Sequence, residues 1–164
     1  MTSGTVSVVP ATPADFPRIA ELTVGVYADE GFGSPAYLAQ LADVAGRAER
    51  STLLVARTAE GQVVGSAALV LSGDFGEITA SDAEAAFRML VVDPAARGLG
   101  VGTALVQACL ERARAAGKQR MVLSTEPGMT TAHRLYERLG FTRLPERDWS
   151  PVPGVDLLVY ALDL

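Results

Sequence analysis

Leu90-Val91-Val92-Asp93-Pro94-Ala95-Ala96-Arg97-Gly98-Leu99-Gly100-Val101-Gly102-Thr103 is the stretch on which the reading of this chain turns. The apolar run from about Ala85 to Val92 reads as a strand, and Asp93-Pro94 stops it. From about Gly100 to Ala116 the apolar residues recur at helical spacing. Glycines between a strand and a helix permit backbone conformations closed to other residues and let a ligand approach the main chain. The first N–H groups of a helix have no internal partner and carry partial positive charge. Together these features make an anion cradle, most often used for a phosphate or pyrophosphate.

Spacing separates the uses of such a cradle. A P-loop requires Gly-x-x-x-x-Gly-Lys-Ser/Thr, and no lysine follows these glycines. A dinucleotide fingerprint requires a third glycine or alanine, but counting from Gly98 gives Thr103 and counting from Gly100 gives Leu105. Asp93 to Arg97 also separate strand from glycines, although Glu126 stands about where a ribose-binding acid would fall.

The third pattern fits. Arg97-x-x-Gly100-x-Gly102, preceded by Leu90-Val91-Val92-Asp93-Pro94, resembles the acetyl-CoA motif of GNAT acetyltransferases. Ala132-His133-Arg134-Leu135-Tyr136-Glu137-Arg138-Leu139-Gly140-Phe141 resembles that family's later helix, with its Leu-Tyr pair and Gly-Phe ending. The resemblance covers residues 84 to 142 and is only topological before them. It implies an enzyme that moves an acetyl group from acetyl-CoA directly to a primary amine of a small molecule or peptide. In that reading the backbone of Leu90, Val91 and Val92 holds the pantetheine arm. The amides of Gly98, Gly100, Val101, Gly102 and Thr103 hold the pyrophosphate, and Arg97 approaches the phosphates. Tyr136 matches the family's acid, which protonates the departing thiolate. Two positions depart from the pattern. Met129 stands where the family often has asparagine, and Ala86 where it often has a carboxylate. Glu84, on the same strand face as Ala86 and Arg88, becomes the candidate general base. The alternative is a non-catalytic acetyl-CoA-binding sensor. A homodimer is common among such folds.

Working outward, a strand is expected at Thr5 to Val9, then a helix capped by Asp15 with Pro17 in its first turn. Gly31-Phe32-Gly33 breaks it, and Ser34-Pro35 starts another helix running to about Ala48. Strands at Thr52 to Arg57 and Val63 to Leu71 flank a hairpin turn. Beyond the glycine segment come a strand at Met121 to Thr125, a helix at Thr130 to Leu139 closed by Gly140, and strands at Phe141 to Leu144 and Val155 to Leu162. The expected fold is α/β (α+β), a mixed and mostly antiparallel sheet of about seven strands with about four helices on both faces, in a single domain over residues 1–164.

Composition narrows the partners. The 164 residues carry a formal net charge of −5, which argues against a nucleic-acid partner, since phosphate neutralisation needs clustered Lys and Arg. The single cysteine, Cys109, and the single histidine, His133, exclude an internal disulfide and a multi-ligand thiolate or imidazole metal site. Cys109 reads as a small buried apolar residue and His133 as exposed and without a role. No stretch suits a signal peptide or a membrane span, so a cytoplasmic setting is the default. The loop from Gly73 to Glu84 carries Asp74, Glu77 and Asp82 and no basic residue, which would favour a cationic acceptor. Tyr27, Phe32, Tyr37 and Trp149 are candidates for the acceptor wall.

Overall fold

A computed structural model describes residues 6–32, 34–73 and 78–164. Among them are eight strands and five α-helices: β1 (Ser7–Pro10), α1 (Phe16–Asp29), α2 (Pro35–Ala42), α3 (Val44–Arg50), β2 (Thr52–Arg57), β3 (Val63–Val70), β4 (Glu84–Val92), α4 (Val101–Ala115), β5 (Arg120–Thr125), α5 (Thr130–Arg138), β6 (Thr142–Arg143), β7 (Trp149–Val152) and β8 (Val155–Asp163). The strands run in the order β1-β2-β3-β4-β5-β8-β6, with β7 hydrogen-bonded to β8 outside that path. Every pairing is antiparallel except β4 with β5. The expected mixed sheet is therefore present, with one strand and one helix more than the sequence suggests. Thr5, Asp74 and Glu77 lie outside the described residues. None of the described helices is long and apolar enough to cross a membrane.

The additional helix arises at Asp43. The segment expected as one helix to Ala48 breaks there, because Asp43 leaves helical geometry (φ −81°, ψ 72°) and its carboxylate accepts the Gly46 N–H at 3.1 Å. A Cβ on Gly46 would collide with that carboxylate, so the glycine permits the cap that starts α3. The additional strand, β7, contains Pro151, which cannot donate to a ladder and is tolerated only at an edge. Asp15 stands at the N-cap position of α1, as expected, but its side chain caps no N–H of that helix. Its carboxylate accepts the Thr12 N–H at 2.8 Å and pairs with Arg57 at 2.6 Å, tying the chain before α1 to β2.

Two apolar cores flank the sheet. Val101, Leu105, Val106, Cys109, Leu110 and Ala113 of α4 pack with Tyr136 of α5 on one face. Ile19 and Leu22 of α1, Leu41 of α2 and Val44 of α3 cover the other. β3 is buried along its whole length, as a strand covered on both faces must be. The polar stripe of α4, Gln107, Glu111 and Arg114, faces solvent. Cys109 is wholly buried, which pushes its thiol up to about 12, so it is the inert apolar residue its sequence context suggests.

The start of α4 sits close to β3 because position 65 has no side chain. A Cβ on Gly65 would lie 2.9 Å from both Leu105 Cδ1 and Val101 Cγ1 and 3.0 Å from the Val91 carbonyl oxygen. Gly65→Ala should therefore destabilise the domain by about 2 kcal/mol, the usual cost of overpacking a filled core. Urea denaturation checks this against Gly25→Ala, where the added methyl meets nothing within 4 Å.

Candidate active site

The cleft begins where two strands part. β4 and β5 pair only over Glu84–Ala86 with Arg120–Val122. Beyond Ala86 the β3–β4 register shifts, and within that shift Met89 adopts φ 56°, the left-handed region rarely used by a non-glycine residue. The bulge turns β4 away from β5, so the edge of β4 from Phe87 to Val92 that faces β5 has no strand partner among the described residues. A cleft of about 360 Å³ fills the gap, bordered by Phe87, Arg88, Met89 and Leu90 of β4 and by Leu123, Ser124 and Thr125 of β5. Tyr27, Glu30 and Phe32 close it from the α1 side, and Met129 and Tyr136 from α5.

At the far end of β4, Asp93 halts the strand. It accepts the Ala95 N–H at 3.0 Å, which starts the 3-10 turn Pro94–Ala96, and it pairs with Arg18 at 2.7 Å. Gly98 (φ 80°) and Gly100 (φ 79°) then reverse the chain into α4, with Gly100 as its N-cap. The amides of Val101, Gly102 and Thr103 are thereby left without helical acceptors, since the first intrahelical bond is donated by Ala104 to the Gly100 carbonyl. A Cβ at Gly98 or Gly100 would meet only open space. These two glycines thus serve the backbone turn, and the cradle is open to a phosphate-sized anion. Gly102 has a different reason. A Cβ there would lie 3.1 Å from Leu135 Cδ2, so its absence lets α4 meet α5. Val101 is 2% exposed, so its side chain belongs to the core and not to the surface of the cradle. Arg97 stands beside the cradle and pairs with Glu30 at 2.6 Å, bridging the loop to the end of α1.

Tyr136 is placed by the termination of α5. Gly140 takes a left-handed conformation (φ 96°), its N–H donates to the Glu137 carbonyl, and the Phe141 N–H donates to the Tyr136 carbonyl at 3.0 Å. This is a Schellman ending, which folds Phe141 back onto Tyr136 with ring centroids 5.9 Å apart. Phe87 packs edge-on against Tyr136 at 5.8 Å. Burial, and then the neighbouring Cys109, hold the Tyr136 phenol well above the usual phenol range, so it stays protonated at any working pH. No described residue accepts a hydrogen bond from its hydroxyl.

Glu84 is not brought to this cleft. It lies at the other end of β4, about 13 Å along the strand from Arg88. Its carboxylate accepts from Arg147 at 2.7 and 3.0 Å and from the Ala80 N–H at 2.8 Å, with Arg120 at 3.8 Å. Burial favours the neutral acid, but these partners outweigh it and hold the carboxyl below its usual range, the reverse of what a general base needs. Among the described lining residues Glu30 is the only carboxylate, and it is held by Arg97. Of the four aromatics singled out in the sequence, Tyr27 and Phe32 line the cleft. Tyr37 stacks behind Tyr27 at 6.2 Å, and Trp149 lies outside and donates to the Ser124 hydroxyl at 3.0 Å. His133 is half-buried, not exposed, and its Nε2 lies 3.2 Å from the Thr125 hydroxyl and 3.1 Å from the Glu126 carbonyl. Arg88, which the sequence marks only for sharing a face with Glu84, is a lining residue. Among the described residues no group of three or more His, Cys, Asp or Glu could hold a metal ion.

A family model described as Acetyltransferase (GNAT) family matches residues 16–141, and the chain belongs to that family. It is 48% identical over 52 residues to a mycothiol acetyltransferase of Streptosporangium roseum, an alignment covering 32% of this chain and 15% of that protein. It is 34% identical over 105 residues to the glucosamine 6-phosphate N-acetyltransferase of Trypanosoma brucei brucei, covering 63% of this chain and 67% of that one. The alignments thus span only 15% to 18% of the length of the mycothiol acetyltransferases matched. Among solved structures, an acetyltransferase of Salmonella typhimurium with its cofactor acetyl-CoA superposes with a TM-score of 0.68 at 24% identity, covering 98% of this chain and 94% of that one. That likeness is one of fold.

The Glu84 ion pair yields a pH prediction. Because its folded carboxyl titrates below the usual 4.5, the pair contributes stability in full above that value and loses it as pH falls through the folded value. Glu84→Gln should cost about 2 kcal/mol at pH 7 and flatten the acid limb of stability below about pH 5. Chemical denaturation across pH checks both, and acetyl-CoA binding at pH 7 should not change.

Proposed function

We propose that this chain is an N-acetyltransferase that uses acetyl-CoA as donor and a primary amine of a small molecule or peptide as acceptor. The observation that carries the reading is the unpaired edge of β4, which borders a cleft also lined by Tyr136 and runs on along the chain to the open glycine turn at the start of α4. Membership of the family and the acetyl-CoA bound by the Salmonella neighbour support the same donor.

The donor supplies a thioester whose carbonyl carbon accepts the amine and whose sulfur leaves. The chain's own residues provide the rest. The amides of Gly98, Gly100, Val101, Gly102 and Thr103 take the pyrophosphate, and Arg97 takes a phosphate oxygen with guanidinium donors other than the Nη2 that holds Glu30. Main-chain groups of Leu90, Val91 and Val92 bind the pantetheine amides as an added strand would. The cleft between Tyr27 and Phe32 admits the amine to the thioester. As the new C–N bond forms and the C–S bond breaks, Tyr136 gives its phenolic proton to the departing sulfur. The amine's surplus proton passes to solvent, because no described residue in the cleft is a free carboxylate, and Tyr136 recovers a proton from solvent once the products leave.

Two outcomes test this. Acetyl-CoA and coenzyme A at about 100 times Kd should raise the melting temperature by several degrees, whereas NAD and ATP should not. Gly100→Val should abolish the shift, since it puts a β-branched residue at a left-handed position. A shift with NAD or ATP alone would overturn the donor assignment. Tyr136→Phe should lower kcat by about 100-fold or more with little change in the Kd for acetyl-CoA. The pH profile of kcat/KM should rise with the neutral fraction of the acceptor amine; a second, acidic inflection assignable to the enzyme would contradict the solvent route.

A further inference from the structure

A second cavity, of about 280 Å³, adjoins the cleft. Trp149 and Val159 line it from β7 and β8, and Ile78, Thr79 and Ala80 line it from the segment before β4. Val159 is the direct cross-strand partner of Ser124 on β5, and Ser124 lines the cleft. Directly opposed residues of an antiparallel pair project to the same face, roughly 5 Å apart. That face is the one covered by α1, because Val122 and Ala161, the partners two residues along, belong to its core. The two cavities are therefore neighbours on one face of the sheet, and they meet at Ser124 and Val159.

Trp149 stands at the border. It lines the second cavity, and its Nε1 donates to the Ser124 hydroxyl at 3.0 Å. That bond uses the only polar atom of the indole and leaves the ring faces for apolar contact. The side is half-buried, next to a cavity that no described side chain fills. Arg147 is the one charged residue among the described lining residues, and its charge is already matched. Its guanidinium holds the Glu84 carboxylate at 2.7 and 3.0 Å and donates to the Ile78 carbonyl at 2.6 Å, while Glu84 accepts the Ala80 N–H at 2.8 Å. The ion pair that Glu84 forms away from the cleft thus pins residues 78 and 80 as a wall of this cavity. What the cavity offers a ligand is the apolar surface of Ile78, Trp149 and Val159, with no unmatched charge.

We propose that the second cavity is a subsite for an apolar or aromatic group of the acceptor, which lies against the Trp149 indole while the amine occupies the cleft at Ser124. The inference rests on the acetyltransferase reading above and names the substrate class of the same site. Passing from Ser124 to Val159 crosses one strand spacing, about 4.8 Å, which an extended carbon chain covers in about four bonds. The acceptor class is therefore an amine whose apolar group begins about four bonds from the nitrogen. The sequence's acidic loop points instead to a cationic acceptor. Of its acids, Glu84 is consumed by Arg147, and Asp74 and Glu77 lie outside the described residues.

Trp149 is the only tryptophan of the chain, so its emission reports occupancy directly. With coenzyme A saturating the protein, hexylamine and phenylbutylamine should shift that emission to the blue, and propylamine should not. As acceptors with acetyl-CoA, alkylamines longer than butylamine should gain about fourfold in kcat/KM per added methylene, the effect of burying one such group. Hexanediamine, whose far end is charged, should fall at least about tenfold below hexylamine, through KM. Trp149→Ala should remove the preference for long over short amines and leave KM for propylamine and the Kd for acetyl-CoA unchanged. A merely structural tryptophan would instead lower the melting temperature and leave that ratio intact. If Trp149→Ala does not fold, the wild-type series still decides. Equal kcat/KM along the series, hexanediamine at or above hexylamine, or an emission unmoved by the long amines overturns the subsite and leaves the donor assignment standing. Turnover of none of these amines by protein that binds acetyl-CoA does the same. Failure to bind acetyl-CoA overturns the underlying reading itself.

Discussion

The left-handed turn at Met89 is the constraint on which the site depends. Parallel strands that stayed paired would satisfy one another's backbone along their full length, and no ligand could compete for those groups. The bulge ends the pairing of β4 with β5 at Ala86 and leaves a polar strand edge inside an otherwise buried sheet. A residue held at φ 56° costs energy that the surroundings must supply. Here the supply is packing: Met89 is 3% exposed, on the face covered by α1 and α3. Without that bulge the glycine cradle would bind an anion with nothing leading from it.

From that opening the other parts take their places by ordinary local rules. Asp93 stops β4 and starts a turn. Two glycines reverse the chain and leave three amides free at the start of α4. A Schellman ending on α5 fixes Tyr136 opposite the strand edge. Each device is short-range and legible as residue chemistry, and the long sheet holds them in register. The opposite wall of the cleft is built differently, from Tyr27 of α1 and from Glu30 and Phe32 just after that helix.

This division explains how much could be read in the sequence. The strand–turn–glycine–helix segment and the Leu135-Tyr136…Gly140-Phe141 segment announce themselves, because turns, caps and left-handed positions demand particular residues. The fold class follows from them and from the order of strands. β7 is hidden by Pro151, which ordinarily argues against a strand. The break at Asp43 is hidden because the apolar residues on either side keep helical spacing. Glu84 is misplaced for a physical reason: residues that share a strand face can still stand about 13 Å apart along it. Arg47 cannot be read at all. An arginine between Gly46 and Ala48 on a short helix looks solvated until tertiary packing encloses it.

The contact between Gly102 and Leu135 joins the two halves of the chemistry. The first turn of α4, with its unpaired amides, rests directly on the residue preceding Tyr136. In the proposed function, the anchor of the donor and the donor of the proton therefore belong to one packed unit, seated on the same face of the sheet. In the language of machines, one jaw carries both the clamp and the tool, and only the opposite jaw needs to adapt to the workpiece.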